Sequence, residues 1–415
     1  MTAQTIFWII IGILIFGYVL GLFLDYLNTT RWCSILPEEL EGIYDAEKYA
    51  KQQDYEKVNY RFSLLTDGFG FVLIMLMMFL AGFAYVDSVA KDVSVHPILN
   101  ALIFFGILMF ASDLLNIPFS LYDIFVIEEK FGFNKTTPGT YVLDKLKGWL
   151  LGAVIGGGLL ALIIWLFLIT GEWFWICAWE AVGLFQIFMA MFYSNLIVPI
   201  FNKQTPLEEG ELRNAIEEFS KKAGFKLDNV YKIDGSKRST KANAYFTGLG
   251  PKKRIVLFDT LITDLETEEI VAVLAHEVGH YKKKHTVSSI VVSLIHSLAI
   301  FYIFSLLVDN PLLSQALGAE KPAFHLGLIT FGILYSPISL VLGLIMNVVS
   351  RRNEYAADRF AAEHYNGEKL GHALKKLSVK NLSNLTPHPV YVFFHYSHPT
   401  LLQRLRALQD FNREK

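Results

Sequence analysis

The sequence predicts a mainly α-helical membrane protein with seven transmembrane helices and a small α+β domain on one face. Three observations predict it. Of 415 residues, 53% are hydrophobic and only 18% charged, with a mean hydropathy of +0.39, whereas an average soluble domain is about 25% charged. Seven stretches, 5–24, 63–86, 98–122, 149–170, 173–199, 287–308 and 324–350, are apolar throughout, and a bilayer core takes about 20 such residues per helix. Finally, 35 of the 37 Lys and Arg residues fall on one side of a seven-span path.

The first stretch reads as an uncleaved anchor, because no positive charge precedes it and no small-residue cleavage site follows. Only Lys91 in the 87–97 loop and Lys321 in the 309–323 loop lie on the poor side. The positive-inside rule then puts the N-terminus outside and both the long 200–286 segment and the tail in the cytoplasm. Net charge is −2, so nothing points to a nucleic-acid partner. Cys33 and Cys177 offer neither metal spacing nor a disulfide framework and fall on opposite sides of the membrane. The final residues, Phe411 to Lys415, carry no prenylation signal.

The 200–286 segment reads as folded. Thr205 suits a helix N-cap with Pro206 at N1 and Glu208 at N3, predicting a helix to Lys222 closed by Gly224. Short strands are expected at 229–233, 242–247 and 254–258. A second helix starts near Thr267, with Glu268 and Glu269 in its positive first turn. Its apolar face is Ile270, Val273, Leu274 and Val278. The tail after 351 reads as helical, with a Pro-interrupted stretch at 386–399.

His276-Glu277-Val278-Gly279-His280 lies in that second helix. Residues four apart share a helix face, so two imidazoles can bind one Zn²⁺ at about 2.0–2.1 Å each. Glu277 stands about 100° round the helix and reaches water at the metal, whose proton it can take as catalytic base. The pattern is short, and its bland reading is a surface helix with two unrelated histidines. A third ligand decides between them. Lys283 and Thr286 stand where a metzincin has Gly and His, which leaves a carboxylate from a later helix. Glu354 is the candidate, with Asp358 four residues on, placed to accept the other N–H of a ligand imidazole. The bland reading of both is a solvated face flanked by arginines. With one Zn²⁺ per chain the site is that of a metalloendopeptidase. Both ligand helices adjoin predicted spans, so the metal belongs at the cytoplasmic face of the bilayer and suits lipidated or membrane-embedded substrates.

The chain then divides into a five-span membrane region (1–200), a catalytic region with the HExxH motif (201–286), spans six and seven (287–350), and a cytoplasmic tail with the third ligand (351–415). Further motifs run along most of it. They are Pro118 to Tyr122, Val126 to Lys130, Gly132 to Lys135, Pro199 to Lys203, Thr205 to Leu207, Asp234 to Ser239, Asn243 to Phe246, and Ser397-His398-Pro399 with Arg404. Together with His276 to His280 and Glu354 to Asp358 they resemble the type I CAAX prenyl endopeptidases, integral-membrane gluzincins. The resemblance implies seven helices around a water-filled chamber with zinc at its cytoplasmic end. It implies removal of the last three residues of a prenylated Cys-a-a-X C-terminus. The absence of long insertions suggests a bacterial inner-membrane member, with the endoplasmic reticulum as the alternative, and for a bacterial member the natural task could be membrane-protein quality control.

Asn243, with Ala244 and Tyr245, sits in an expected edge strand that could pair an extended substrate. The alternative is an ordinary strand asparagine, and the resemblance favours substrate contact. His398 and Arg404 are candidates to stabilise the oxyanion, or else a helix cap and a surface charge. Asp67, Asp113, Glu180 and His296 fall inside expected spans, where ionisable groups line a polar cavity or form buried pairs. A different class altogether is a zinc-holding seven-helix receptor or transporter without activity. The intact Glu277 argues against it, since a structural zinc site needs no base and is usually closed by four protein ligands.

Overall fold

Among the residues described by the computed structural model (2–33, 35–36, 41–224, 230–247 and 254–413), six helical runs are long and apolar enough to cross a membrane. They are Ala3–Thr29, Ala46–Phe79, Pro97–Phe131, Pro138–Phe201, His285–Ser305 and Phe324–His364. The sequence expectation of seven divides Pro138–Phe201 in two. That run turns through Gly171–Trp173, where Gly171 takes a φ of 54°, and the helices on either side, Gly157–Thr170 and Phe174–Leu196, pack on each other.

The expected span 63–86 breaks early. Its helix ends at Phe79, and Ala81 adopts a left-handed φ of 52° before a separate helix, Gly82–Val93. That helix packs on Pro97–Tyr122. Its buried Asp87 bonds His325 at 2.8 Å and Lys91 at 2.5 Å, so the charge is paired. Other polar groups of the membrane region follow the same rule in part. Asp113 accepts from Lys145 at 2.6 Å and from Trp149 Nε1 at 2.8 Å, and His296 bonds the Tyr335 hydroxyl at 2.9 Å. Asp67 and Glu180 are exposed. A cavity of about 520 Å³ runs along the Phe324–His364 helix, lined by Ser336, Ser339 and Asn347 on one hand and by Leu340, Leu344 and Phe394 on the other.

The extramembrane part holds one four-stranded sheet of order β1-β2-β4-β3: β1 is Gln204–Pro206, β2 Val230–Ile233, β3 Ala244–Thr247 and β4 Arg254–Phe258. Strands β2 and β4 run parallel, and the outer strands are antiparallel to their neighbours. The expected strands are present; Asn229 of the first lies outside the described residues. The expected helix start at Thr205 is corrected. Thr205 and Pro206 belong to edge strand β1, paired with Lys232 and Tyr231, a place that tolerates a residue without an N–H. The helix instead begins at Glu211 and ends at Lys222, with Gly224 at a φ of 57° closing it as expected.

The two segments far apart in the chain share one core. Ile216, Leu257, Val271, Leu274, Ala361 and Leu370 are fully buried together between the sheet and four helices. Ion pairs fix the loop before β3 to the membrane region: Arg238 grips Asp144 through two 2.8 Å bonds, and Lys241 reaches Glu128 at 2.9 Å. The edge strand therefore has a set position relative to the membrane helices.

Candidate active site

Helix Thr267–Lys282 carries the two histidines. Glu266 caps it, and Glu269 closes a capping box while Lys376 holds its buried carboxylate at 2.8 Å. Its inner face, Ile270, Leu274 and Val278, is buried, which fixes its rotation. The crossing with helix Phe324–His364 is set by Gly279. A Cβ there would stand 3.1 Å from Ala357 Cα, 3.1 Å from Ala357 O and 3.1 Å from Phe360 Cβ. Only glycine lets the backbones approach so closely, and that approach brings Glu354 and Asp358 to His276 and His280.

Three groups that could hold one metal ion meet there. His276 Nε2 lies 3.1 Å from His280 Nε2 and 3.4 Å from Glu354 Oε2, and His280 Nε2 lies 3.2 Å from Glu354 Oε1. Tetrahedral bonds of about 2.0–2.1 Å to one ion imply ligand separations of about 3.3 Å, so the three groups span one face of such a tetrahedron. Glu354 Oε2 is buried and makes no hydrogen bond among the described residues, an acceptor that an ion would satisfy. Two histidines and a carboxylate with a fourth position left to water are the donor set of a catalytic rather than a structural zinc site.

Behind this face the partners are paired. Asp358 Oδ1 lies 2.8 Å from His276 Nδ1, which turns Nε2 towards Glu354. Arg404 grips Asp358 through Nε at 2.8 Å and Nη2 at 2.6 Å. Burial alone would lower the His276 pKa, but the adjoining carboxylates of Asp358 and Glu354 outweigh it and raise the pKa to about 9.

The open side is lined differently. His398 Nε2 lies 3.2 Å from Glu354 Oε1, and its side chain is 63% exposed. Ser397 Oγ bonds its Nδ1 at 2.9 Å. Glu277 is half-buried, and its carboxylate makes no hydrogen bond among the described residues. Asn243 is exposed just before β3, and its carbonyl accepts from Phe258 N at 3.1 Å. Strand β3 is the last in the sheet, and its outer side has no strand partner among the described residues.

Two family descriptions cover the chain almost end to end. "CAAX prenyl protease N-terminal, five membrane helices" matches residues 25–203, and "Peptidase family M48" matches residues 206–412. CAAX prenyl protease 1 of Saccharomyces cerevisiae is 36% identical over 92% of this chain and 89% of its own length. The chain belongs to the CAAX prenyl protease family. The Homo sapiens homologue of CAAX prenyl protease 1 is 33% identical, over 92% of this chain and 90% of its own. The crystal structure of S. mikatae Ste24p superposes with a TM-score of 0.91 at 35% identity, covering 97% of this chain and 99% of that one. As a member of this family the chain is a multi-pass membrane metalloendopeptidase.

The fold gathers His276, His280, Glu354, Asp358, His398 and Arg404 around one point, with Glu277 on the same helix. Arg404 is 12% exposed; its Nε and Nη2 bond Asp358, and its Nη1 lies 3.8 Å from Glu354 Oε2. Ala244 packs on the core, and Tyr245, on the opposite face of β3, brings its hydroxyl 3.4 Å from Gln204 Nε2. What they can offer a substrate is backbone. Gly279 and Ala357 escaped the sequence reading, and His285, at the end of the basic run Lys282-Lys283-Lys284, reads there as a membrane-surface anchor with no sign that its ring meets His280. Only the glycine inside the motif hinted at a close crossing.

Proposed function

We propose that this protein is a zinc endopeptidase that removes the C-terminal tripeptide from prenylated Cys-a-a-X substrates at the cytoplasmic face of a membrane. The observation that carries the reading is the triangle of His276, His280 and Glu354, with Glu277 on the helix of the two histidines and His398 3.2 Å from Glu354, in a chain alike over more than nine-tenths of its length to CAAX prenyl proteases.

His276, His280 and Glu354 would hold one Zn²⁺ per chain. When bound, the ion polarises the scissile carbonyl and acidifies water at neutral pH. Glu277 takes one proton of the attacking water and passes it to the nitrogen of the departing tripeptide as the peptide C–N bond breaks, and the water's second proton leaves the new carboxyl group for the freed amine, giving carboxylate and ammonium. His398, on the open side, donates to the oxygen that gains charge as the carbonyl becomes tetrahedral. Asp358 fixes the tautomer and angle of His276, and Arg404 fixes Asp358. An extended substrate would pair along the free edge of β3, from Asn243 to Tyr245.

Both ligand helices continue from or into apolar helices, so the scissile bond is cut near the membrane surface. The basic-residue asymmetry supports seven spans with the N-terminus outside. The relatives named above are eukaryotic, which weighs for the endoplasmic reticulum over a bacterial inner membrane. The test is Glu277→Gln: it should keep its zinc and lose at least about a hundredfold in turnover. Near-normal turnover with metal bound would remove Glu277 as base and sink the mechanism.

A further inference from the structure

The two ligand histidines are supported unequally. His276 has a carboxylate behind it. His280 has another imidazole: its Nδ1 lies 3.0 Å from His285 Nδ1, with ring centroids 5.1 Å apart and planes at 73°. Residues five apart on a continuous helix point about 140° away from each other, so this contact does not come from helical spacing. It comes from Lys284. That residue is left-handed, with a φ of 58°, and ends the HExxH turn so that His285 opens the next helix, His285–Ser305, facing back at His280. Left-handed backbone is unfavourable for a lysine, and such outliers persist where the surroundings impose them.

Hydrogen-bond logic fixes the roles. His280 Nε2 points at Glu354 and His276, so its Nε2 lone pair is the one offered to a metal and its Nδ1 carries the hydrogen. His285 Nδ1 must then be the acceptor, with its own hydrogen on Nε2. We infer that His285 is a positioning residue for the metal site: it orients His280 by accepting its Nδ1–H, and it ties that ligand to the first turn of a membrane helix. This rests on the metal reading above and adds to it a link between the site and the membrane region that none of the motifs marks.

The test uses the full chain in detergent and measures zinc affinity by chelator competition in three variants. His285→Asn keeps an acceptor, since Oδ1 occupies the place of the ring Nδ1. His285→Phe keeps the ring and its packing but offers no acceptor. Loss of such a supporting bond costs about 10–100-fold in metal affinity, so His285→Phe should weaken zinc by that factor and His285→Asn should recover most of it. Equal zinc affinity in the two variants, at whatever level, would overturn the inference, because the ring would then act by packing or not at all. His280→Ala separates the two readings. If it keeps full zinc affinity, the metal assignment itself fails, whatever His285 does.

Discussion

Gly279→Ala is the smallest change that should disable the site without touching a ligand. The added methyl would meet Ala357 Cα, Ala357 O and Phe360 Cβ, each at 3.1 Å. Carbon atoms rest at about 3.5–4.0 Å, so the two helices must part by about 0.5 Å. Ligand distances at a metal tolerate about 0.2 Å, and the crossing carries His276 and His280 on one helix and Glu354 on the other. Alanine gains about 0.5–1 kcal/mol over glycine inside a helix, whereas overpacking costs about 1–3 kcal/mol, so the net effect is destabilising. The variant should bind zinc at least about tenfold more weakly and unfold at a lower temperature in the metal-free state. Ala357→Gly should not rescue it, because two of the three contact atoms are backbone. Chelator competition and thermal unfolding in one detergent read both quantities. Wild-type zinc affinity together with wild-type stability in Gly279→Ala would refute the claim that this crossing sets the ligand geometry.

His398 and Arg404 should separate cleanly. His398→Ala should keep zinc and lose about 10²–10³-fold in kcat, whereas Arg404→Lys, which cannot form the two-armed bond to Asp358, should lose zinc affinity; the reverse pattern would exchange their roles. Reporter fusions after Gln204 and after Lys415 should read cytoplasmic and one after Pro322 external, and an external Lys415 fusion would mean that the spans are miscounted.

The chemistry was more legible in the sequence than the architecture that delivers it. HExxH puts two imidazoles on one helix face by spacing alone, and Glu354 with Asp358 four residues on presents a second helix face. The short apolar runs at 230–233 and 254–258 read as strands because their length and bounds leave little else. Thr205-Pro206 misled because capping residues and edge-strand residues overlap: a missing N–H suits both places, and only pairing with β2 decides. The break at Ala81 and the turn at Lys284 use left-handed non-glycine residues, for which sequence carries no signal. Arg404 reads as a free cation until folding places it against Asp358, 46 residues away in the chain.

The central claim is metal-dependent cleavage after a lipid-modified cysteine, and the masses of the products test it most directly. A farnesylated C-terminal Cys-a-a-X peptide and its unprenylated twin are incubated at matched concentrations with the purified protein in liposomes, with and without 1,10-phenanthroline. A prenyl chain buries about 0.8 kcal/mol per CH₂-sized unit and makes similar contacts in ground and transition states, so it should act through KM. The account predicts loss of three residues after the modified cysteine, a lower KM for the farnesylated peptide and no product with the chelator. Cleavage elsewhere, or product that persists in the chelator, would contradict it.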